Sequence, residues 1–302
     1  MMTEERSGVL LIDKPRGVTS HDVVGTVRRL YHTRRVGHTG TLDPMATGVL
    51  VVLIGRAAKA AEYLTGHGKV YRAELQLGLT TDTQDITGTT LTTCADIPTS
   101  ERVVQAADSF VGDILQTPPM YSALKVKGQK LVDLARRGIE VERTPRPITV
   151  HSITCEPLPN GNYTLTVSCS AGTYIRTLCA DIGEKLGCGG VMAALRRTEA
   201  GGFTLSQCTT LAALEQMDEQ ARGAQLIPTE SLFGDLPAIC LPSFYERLCR
   251  SGCEIYQKKI DTQYGVGTRV RLCDENGGFF ALGEIREYEN GTAVKSVKLF
   301  DI

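Results

Sequence analysis

The segment GHTGTLDPMATGVLVVLIG runs from Gly37 to Gly55 and changes character half-way. Its first part, to Gly48, is crowded with Gly, Thr and Pro, the composition of a loop. Its second part is an unbroken apolar run of strand length, the pattern of a strand buried on both faces. A loop carrying His38, Thr39, Thr41 and Asp43 therefore feeds directly into a rigid core element. Sites are often built this way, with reactive side chains on a loop that a scaffold positions. Pro44 restricts Asp43 to extended backbone angles and fixes the turn that follows. On spacing alone, an Asp before Pro is ordinary turn chemistry.

Upstream, Val9–Ile12 reads as a short strand that ends in the turn DKPRG. Ser20 is placed to cap a helix with Val23, Val24, Val27, Leu30 and Tyr31 on one face. Downstream, Tyr71, Ala73, Leu75 and Leu77 alternate with polar residues and predict a half-buried strand. The loop TTDTQDITG follows; its Asp82 and Asp85 read as solvated turn residues. Val103, Val104, Ala107, Phe110 and Val111 predict a second helix stopped by Gly112. QTPPMYSALKVKGQK has two prolines and little periodicity, which predicts an exposed loop. Tyr163–Cys169 alternates as a strand, and Ile175, Leu178, Ile182 and Leu186 share one helix face. Beyond about Leu236 come short candidate strands, Thr268–Leu272, Phe279–Ile285 and Ala293–Leu299, between Gly and Asn turns. The reading is an α+β body over 1–235 and a small β-rich appendage over 236–302.

The 302 residues carry a net charge of −1, so no global basic excess points to a polyanion. Basic residues instead gather at 28–35, 125–130 (Lys125, Lys127, Lys130), 136–146 and 196–197, as strips on one face would. The ten cysteines include no CxxC pair and make no zinc spacing with the five histidines. Most lie in apolar runs, so reduced core cysteines are expected. No apolar stretch is long enough to span a bilayer, and MMTEERSGVLL lacks the apolar core of a leader. The expectation is a cytoplasmic protein, monomeric by default.

At GHTGTLDPMATGVL the chain resembles the TruB-type pseudouridine synthases, which make pseudouridine in the T loop of tRNA. LLIDKPRGVTSHDVV, KVYRAELQLGLTTDTQDITG, PPMYSALKVKGQK, GTYIRTLCADIGEKLG and LRRTEAGGF resemble that family's other motifs, in order, between Leu10 and Phe203. The resemblance implies the pseudouridine synthase fold, with a mixed, largely antiparallel sheet flanked by helices. It implies a PUA-like RNA-binding role for the tail, less specifically. It makes Asp43 the catalytic carboxylate and Tyr71 the ring that stacks on the target uracil. Tyr174 becomes the pocket tyrosine and Arg176 the partner of the aspartate. Leu195 would line the base pocket, His38 would hold the loop open when the base is extruded, and Asp85 would be a loop acid near the pocket. Without the resemblance, Tyr71 and Leu195 read as core and Arg176 as a surface residue. One departure is Val132, where the family commonly has an aromatic residue after GQKL.

The implied reaction is an isomerisation of uridine 55 that needs no cofactor, with the tRNA T-stem-loop as substrate and no protein partner. Two alternatives stay open: an RNA-folding chaperone without catalysis, and the same chemistry directed by a guide RNA.

Overall fold

A computed structural model describes residues 6–64, 68–126 and 128–300. Lys127 of the second basic strip, and residues 1–5 on which the absence of a leader was read, lie outside them. In chain order, β1 (Gly8–Lys14), α1 (Ser20–Leu30), β2 (Val36–His38), β3 (Thr47–Ile54) and β4 (Lys69–Leu77) come first. A hairpin, β5 (Leu79–Thr81) and β6 (Thr90–Thr93), leads to α2 (Ser100–Asp108) and β7 (Gly112–Gln116). A second hairpin, β8 (Lys125–Val126) and β9 (Gln129–Lys130), precedes α3 (Leu131–Ala135), β10 (Arg146–Pro157), β11 (Tyr163–Cys169) and α4 (Ile175–Leu186). The body closes with β12 (Gly190–Ala200), β13 (Phe203–Thr204), β14 (Thr209–Thr210), α5 (Leu211–Gln216) and α6 (Glu219–Ala224).

These strands make one mixed sheet in the order β14-β1-β3-β12-β4-β11-β10-β7, with β13 beside β12 and β2 beside β3. Only β1/β14 and β3/β12 are parallel. The α+β reading with a largely antiparallel sheet is what the structure has.

The two halves of the sheet are built differently, and the sequence patterns say why. In β1 and β3, alternate residues serve two cores. Leu10, Ile12, Leu50, Val52 and Ile54 pack on α1, while Val9, Leu11, Val49, Val51 and Leu53 pack on the opposite side. Burial on both faces needs a continuous apolar run, as these strands have. In β4 and β11 only one face is covered: Tyr71, Ala73, Leu75, Tyr163, Leu165 and Val167 pack with Val103 of α2 and Leu178 and Ile182 of α4. Their alternate residues, Arg72 and Thr166 among them, point to the other, uncovered face.

Several local expectations need correction. The N-cap of α1 is Thr19, which forms a capping box with Asp22, rather than Ser20. Helix α2 ends at Asp108, leaving Val111 outside it and exposed. QTPPMYSALKVKGQK is not a simple exposed loop: Gln116, Met120 and Ser122 are buried, and β8 and β9 form within it. Of the cysteines, 169, 179, 188, 249 and 273 are buried, but 240 and 253 are exposed.

A second sheet, in the order β15-β17-β18-β19-β16, is made from β15 (Ala238–Cys240), β16 (Ile255–Tyr256), β17 (Arg269–Cys273), β18 (Phe279–Tyr288) and β19 (Gly291–Leu299). It has its own core, which takes in Cys249 of α7 (Ser243–Arg250). Leu282 and Phe300 join the apolar cluster of β1 and β3 and fasten this sheet to the body. No helix among the described residues is long and apolar enough to cross a membrane.

Candidate active site

The site lies where the main sheet is interrupted. On its β3 side, β12 pairs only through Arg196–Thr47 and Arg197–Gly48. Further along the same strand, Met192 pairs with the β5–β6 loop: Ile86 donates to its carbonyl at 3.0 Å and Met192 N–H donates to Gln84 at 3.1 Å. Residues 193–195 between these contacts have no strand partner on that side among the described residues. Gly48 marks one lip of the gap. Its φ is +106°, and a Cβ there would stand 2.1 Å from the Arg197 carbonyl oxygen, so only glycine fits.

The loop that carries Asp43 is tied down at several points. Ser20 Oγ accepts from Leu42 N–H at 2.8 Å and donates to the Leu42 carbonyl at 3.0 Å. Gly17 N–H donates to the Pro44 carbonyl at 2.8 Å, and Ala46 N–H to the Asp43 carbonyl at 3.0 Å. Lys14 is buried and donates through Nζ to the carbonyls of Pro15 (2.9 Å), Val18 (2.7 Å) and Pro44 (3.4 Å). Burial lowers its pKa to about 8 against the opposing pull of Asp43.

Arg176, at the start of α4, is the hub. Its Nε stands 3.0 Å from Asp43 Oδ2, one terminal nitrogen 3.4 Å from Asp85 Oδ2, and the other donates to the Tyr121 carbonyl at 2.7 Å. The Thr83 carbonyl accepts at 3.2 Å. The Arg176 side chain is 6% exposed, which overturns the pattern-only reading of a surface residue. Asp85 is equally dry, and also accepts from Thr83 Oγ1 (2.9 Å), Thr87 N–H (2.9 Å) and Thr87 Oγ1 (2.5 Å), so it is not a solvated turn residue. Asp82 is exposed and caps the turn at Thr89 N–H.

Asp43 itself is 35% exposed. Partial desolvation pushes its pKa up and the neighbouring Asp85 adds to this, while Arg176 and Lys14 pull it down. Oδ2 is held by Arg176; Oδ1 receives no hydrogen bond from the described residues. The result is an oriented carboxyl with one oxygen free for a reacting atom, as a nucleophile or base needs.

Tyr71 and Leu195 are buried on the same side of neighbouring strands, where β4 and β12 pair Ala73 with Leu195 and Tyr71 with Arg197. Tyr174 precedes α4, its backbone N–H and carbonyl both held by the buried Gln116 side chain at 2.8 and 3.1 Å. Burial raises the pKa of both phenols, and both sense the charge of Asp43. His38, at the end of β2, makes no bond to the acid. Its Nδ1 is buried without a partner, and burial lowers its pKa. A cavity of about 340 Å³ lies against Met45, Thr47 and Leu195 and extends over Arg72, Glu74 and Arg196 on the uncovered face of the sheet; Asp43, Arg176, Tyr71 and Tyr174 do not line it. Asp43, Arg176 and Asp85 thus form one cluster, with Tyr71, Tyr174 and Leu195 around it and His38 at the loop's far end.

Sequence reasoning missed Arg197 as a core residue and placed it in a basic strip. It is 1% exposed, donates to the Val49 carbonyl at 2.7 Å and the Gly40 carbonyl at 3.1 Å, and its charge pulls the Tyr71 phenol down against burial. It also missed Lys14, Ser20 and Gln116 as supports. Nothing in their local pattern marks them, because their partners lie in other segments.

Residues 28–175 match the model of the TruB family pseudouridylate synthase N-terminal domain, and residues 176–234 match that of the tRNA pseudouridylate synthase B C-terminal domain. The chain belongs to the TruB family. The tRNA pseudouridine synthase B of Aromatoleum aromaticum is 43% identical over 277 residues, 92% of this chain and 88% of that one. That of Alkaliphilus oremlandii is 44% identical over 299 residues, 97% of this chain and 98% of the relative. Among solved structures, a crystal structure of a Cbf5–Nop10–Gar1 complex superposes with a TM-score of 0.74 at 27% identity, covering 98% of this chain and 85% of that one. The boundary between the two TruB models falls inside α4, between Ile175 and Arg176. Both segments contribute to one sheet, and the ion pair Asp43–Arg176 joins them.

Proposed function

We propose that this TruB protein converts uridine 55 in the T loop of tRNA to pseudouridine, with Asp43 as the catalytic residue. The observation that carries the reading is the carboxyl of Asp43 held by Arg176 at 3.0 Å. The reaction breaks N1–C1′, turns the uracil and joins C5 to C1′. The hydrogen on C5 leaves to solvent and N1 gains a proton, so atoms balance with no co-reactant.

The target base is stacked inside folded RNA and must be flipped out, at a cost of a few kcal/mol. Tyr71 offers a ring for stacking, worth about 1–3 kcal/mol per base. Leu195 closes the apolar side of the pocket, and Tyr174 flanks it. Asp43, ionised and dry once the base fills the gap, acts at C1′ or on the 2′ proton. Asp85 holds Arg176 from behind and is a support for the catalytic pair. His38 helps hold the loop open when the base is extruded. The substrate is the T-stem-loop, the protein acts as a single chain, and residues 236–302 serve as a PUA-like RNA-binding unit.

A T-stem-loop labelled with tritium at uracil C5 tests this. Wild type releases tritium and Asp43→Asn does not. Tight binding without release by wild type makes the protein a non-catalytic RNA binder; release by both proteins removes Asp43 from the chemistry.

A further inference from the structure

We propose that Arg16, Arg72 and Arg196 form a phosphodiester-binding site at the rim of the gap, which takes one RNA backbone phosphate beside the flipped nucleotide. The inference rests on the functional reading above.

Arg72 of β4 and Arg196 of β12 are direct cross-strand partners, so both side chains leave the same face of the sheet. Like charges placed opposite each other on a sheet are destabilising. Arg16, from the turn after β1, reaches the same cavity of about 340 Å³ and makes a third cation there. Only Arg196 is balanced: it bonds Asp13 Oδ2 at 2.7 Å and Thr47 Oγ1 at 3.2 Å. Arg16 and Arg72 are exposed and have no ion pair among the described residues.

One acid in the same cavity could have neutralised Arg72, namely Glu74. Its carboxylate makes no ion pair with an arginine among the described residues and is held by two amides instead. Oε1 accepts from Asn162 Nδ2 at 2.6 Å and Asn160 Nδ2 at 3.0 Å, and these amides hold its pKa below the usual carboxylate range. Cations left unpaired at the mouth of this cavity are arranged for an anion that arrives from outside.

The identity of that anion follows from the rest of the wall. Met45 and Leu195 line this cavity and also pack in the cluster that holds Tyr71, so the arginines and the stacking ring lie on opposite faces of the same two strands. An anion bound at these arginines is therefore within a nucleotide's length of the flipped uracil. Planar guanidinium forks match a phosphate's oxygens in pairs, which a lysine cluster does not. A phosphate gripped here fixes the register of the strand and offsets part of the cost of flipping.

The test crosses enzyme variants with single neutral phosphates. T-stem-loops carry one methylphosphonate at a time around the target uridine, and tritium release gives kcat/KM for wild type, Arg72→Gln and Arg16→Gln. Arg196 is left intact, since removing it would free Asp13. Thermal denaturation checks that both variants are folded. Wild type loses about tenfold at one flanking phosphate, the worth of a charge-assisted contact. Arg72→Gln loses about tenfold on native RNA and nothing more when that same phosphate is neutral. The slope of log affinity against log salt falls by about one per arginine removed.

Losses that add at every phosphate, or variants that match wild type, overturn the site. Inhibition by inorganic phosphate that depends on Arg72, with no position-specific effect in the RNA, assigns the arginines to free phosphate and also overturns it. If wild type releases no tritium from any RNA, the functional reading fails by itself. Binding affinities of the same methylphosphonate series then still judge the arginines.

Discussion

Replacing Arg176 by Met removes the cation that bridges the carboxyl groups of Asp43 and Asp85. The side chain bonds Asp43 at 3.0 Å, Asp85 at 3.4 Å, and the carbonyls of Thr83 and Tyr121 at 3.2 and 2.7 Å. Breaking a buried ion pair by deleting one partner costs about 3–5 kcal/mol. The Asp85 half counts in full because both groups are 6% exposed, whereas Asp43 is 35% exposed and water screens its share. The low end, about 3 kcal/mol, is therefore expected at neutral pH. With about 2.1 cal/mol/K of unfolding entropy per residue over 302 residues, that is a fall in melting temperature of roughly 5 °C. The sign of the pH effect is fixed by the same geometry. Burial already raises the Asp43 pKa against the pull of Arg176, and without the arginine it rises further. Protonating one of the two facing acids relieves the variant, so the deficit against wild type shrinks as pH falls from 8 to 5. Activity needs Asp43 ionised, so the acid limb of kcat/KM moves to higher pH in the variant. Arg176→Lys keeps a charge but not the four-way fork, and falls between wild type and Met in stability. Melting curves at several pH values and a tritium-release pH profile measure all of this. An equal deficit at pH 5 and pH 8, together with an unmoved acid limb, would refute the reasoning.

Two further outcomes follow from buried cations near the gap. Arg197→Met leaves the carbonyls of Val49 and Gly40 without their donor, which costs about 2–4 kcal/mol and loosens the ring of Tyr71, as urea denaturation and the kcat of tritium release report; an unchanged urea midpoint counts against the assignment. The amine of Lys14, enclosed by three carbonyls, titrates at about 8 in a nitrogen-15 NMR titration, and since its folded pKa lies below the unfolded value, its contribution to stability improves as pH rises from about 8 towards 10.5. A midpoint at the ordinary lysine value would show that the amine is solvated.

The fold was legible where one physical rule governs an element. Strands β1 and β3 are buried on both faces and read as apolar runs; β4 and β11 are buried on one face and read as alternation. Strand β12 sits in the middle of the same sheet yet carries no such signature. Register shifts at Met192/Ala194 and Arg197/Glu199 break its period of two, and one of its adjacent arginines is sealed in the core while the other reaches a cavity. The capping of α1 was displaced by one residue because Thr19 and Ser20 are chemically alike. Only the structure shows that Ser20 is spent on Leu42.

The site obeys a different logic from the fold. Asp43, Tyr71 and Arg176 could be named from motifs resembling a family, but pattern alone gave a turn, a core tyrosine and a surface arginine. The reason is that a charge can be buried only where its counter-groups converge, and these come from separate parts of the chain. Arg176 is dry because Asp43, Asp85, Thr83 and Tyr121 meet it from three loops. Arg197 is dry because Val49 and Gly40 turn their carbonyls towards it. Neither convergence is a property of any window of sequence. The same rule works in reverse at the rim of the gap. Arg16 and Arg72 stay exposed because no acid among the described residues pairs with them, while Glu74, which lines the same cavity, is held by two asparagines. Arginines whose counter-groups come from within the chain build the pocket, and those left without one are directed at what the pocket must hold.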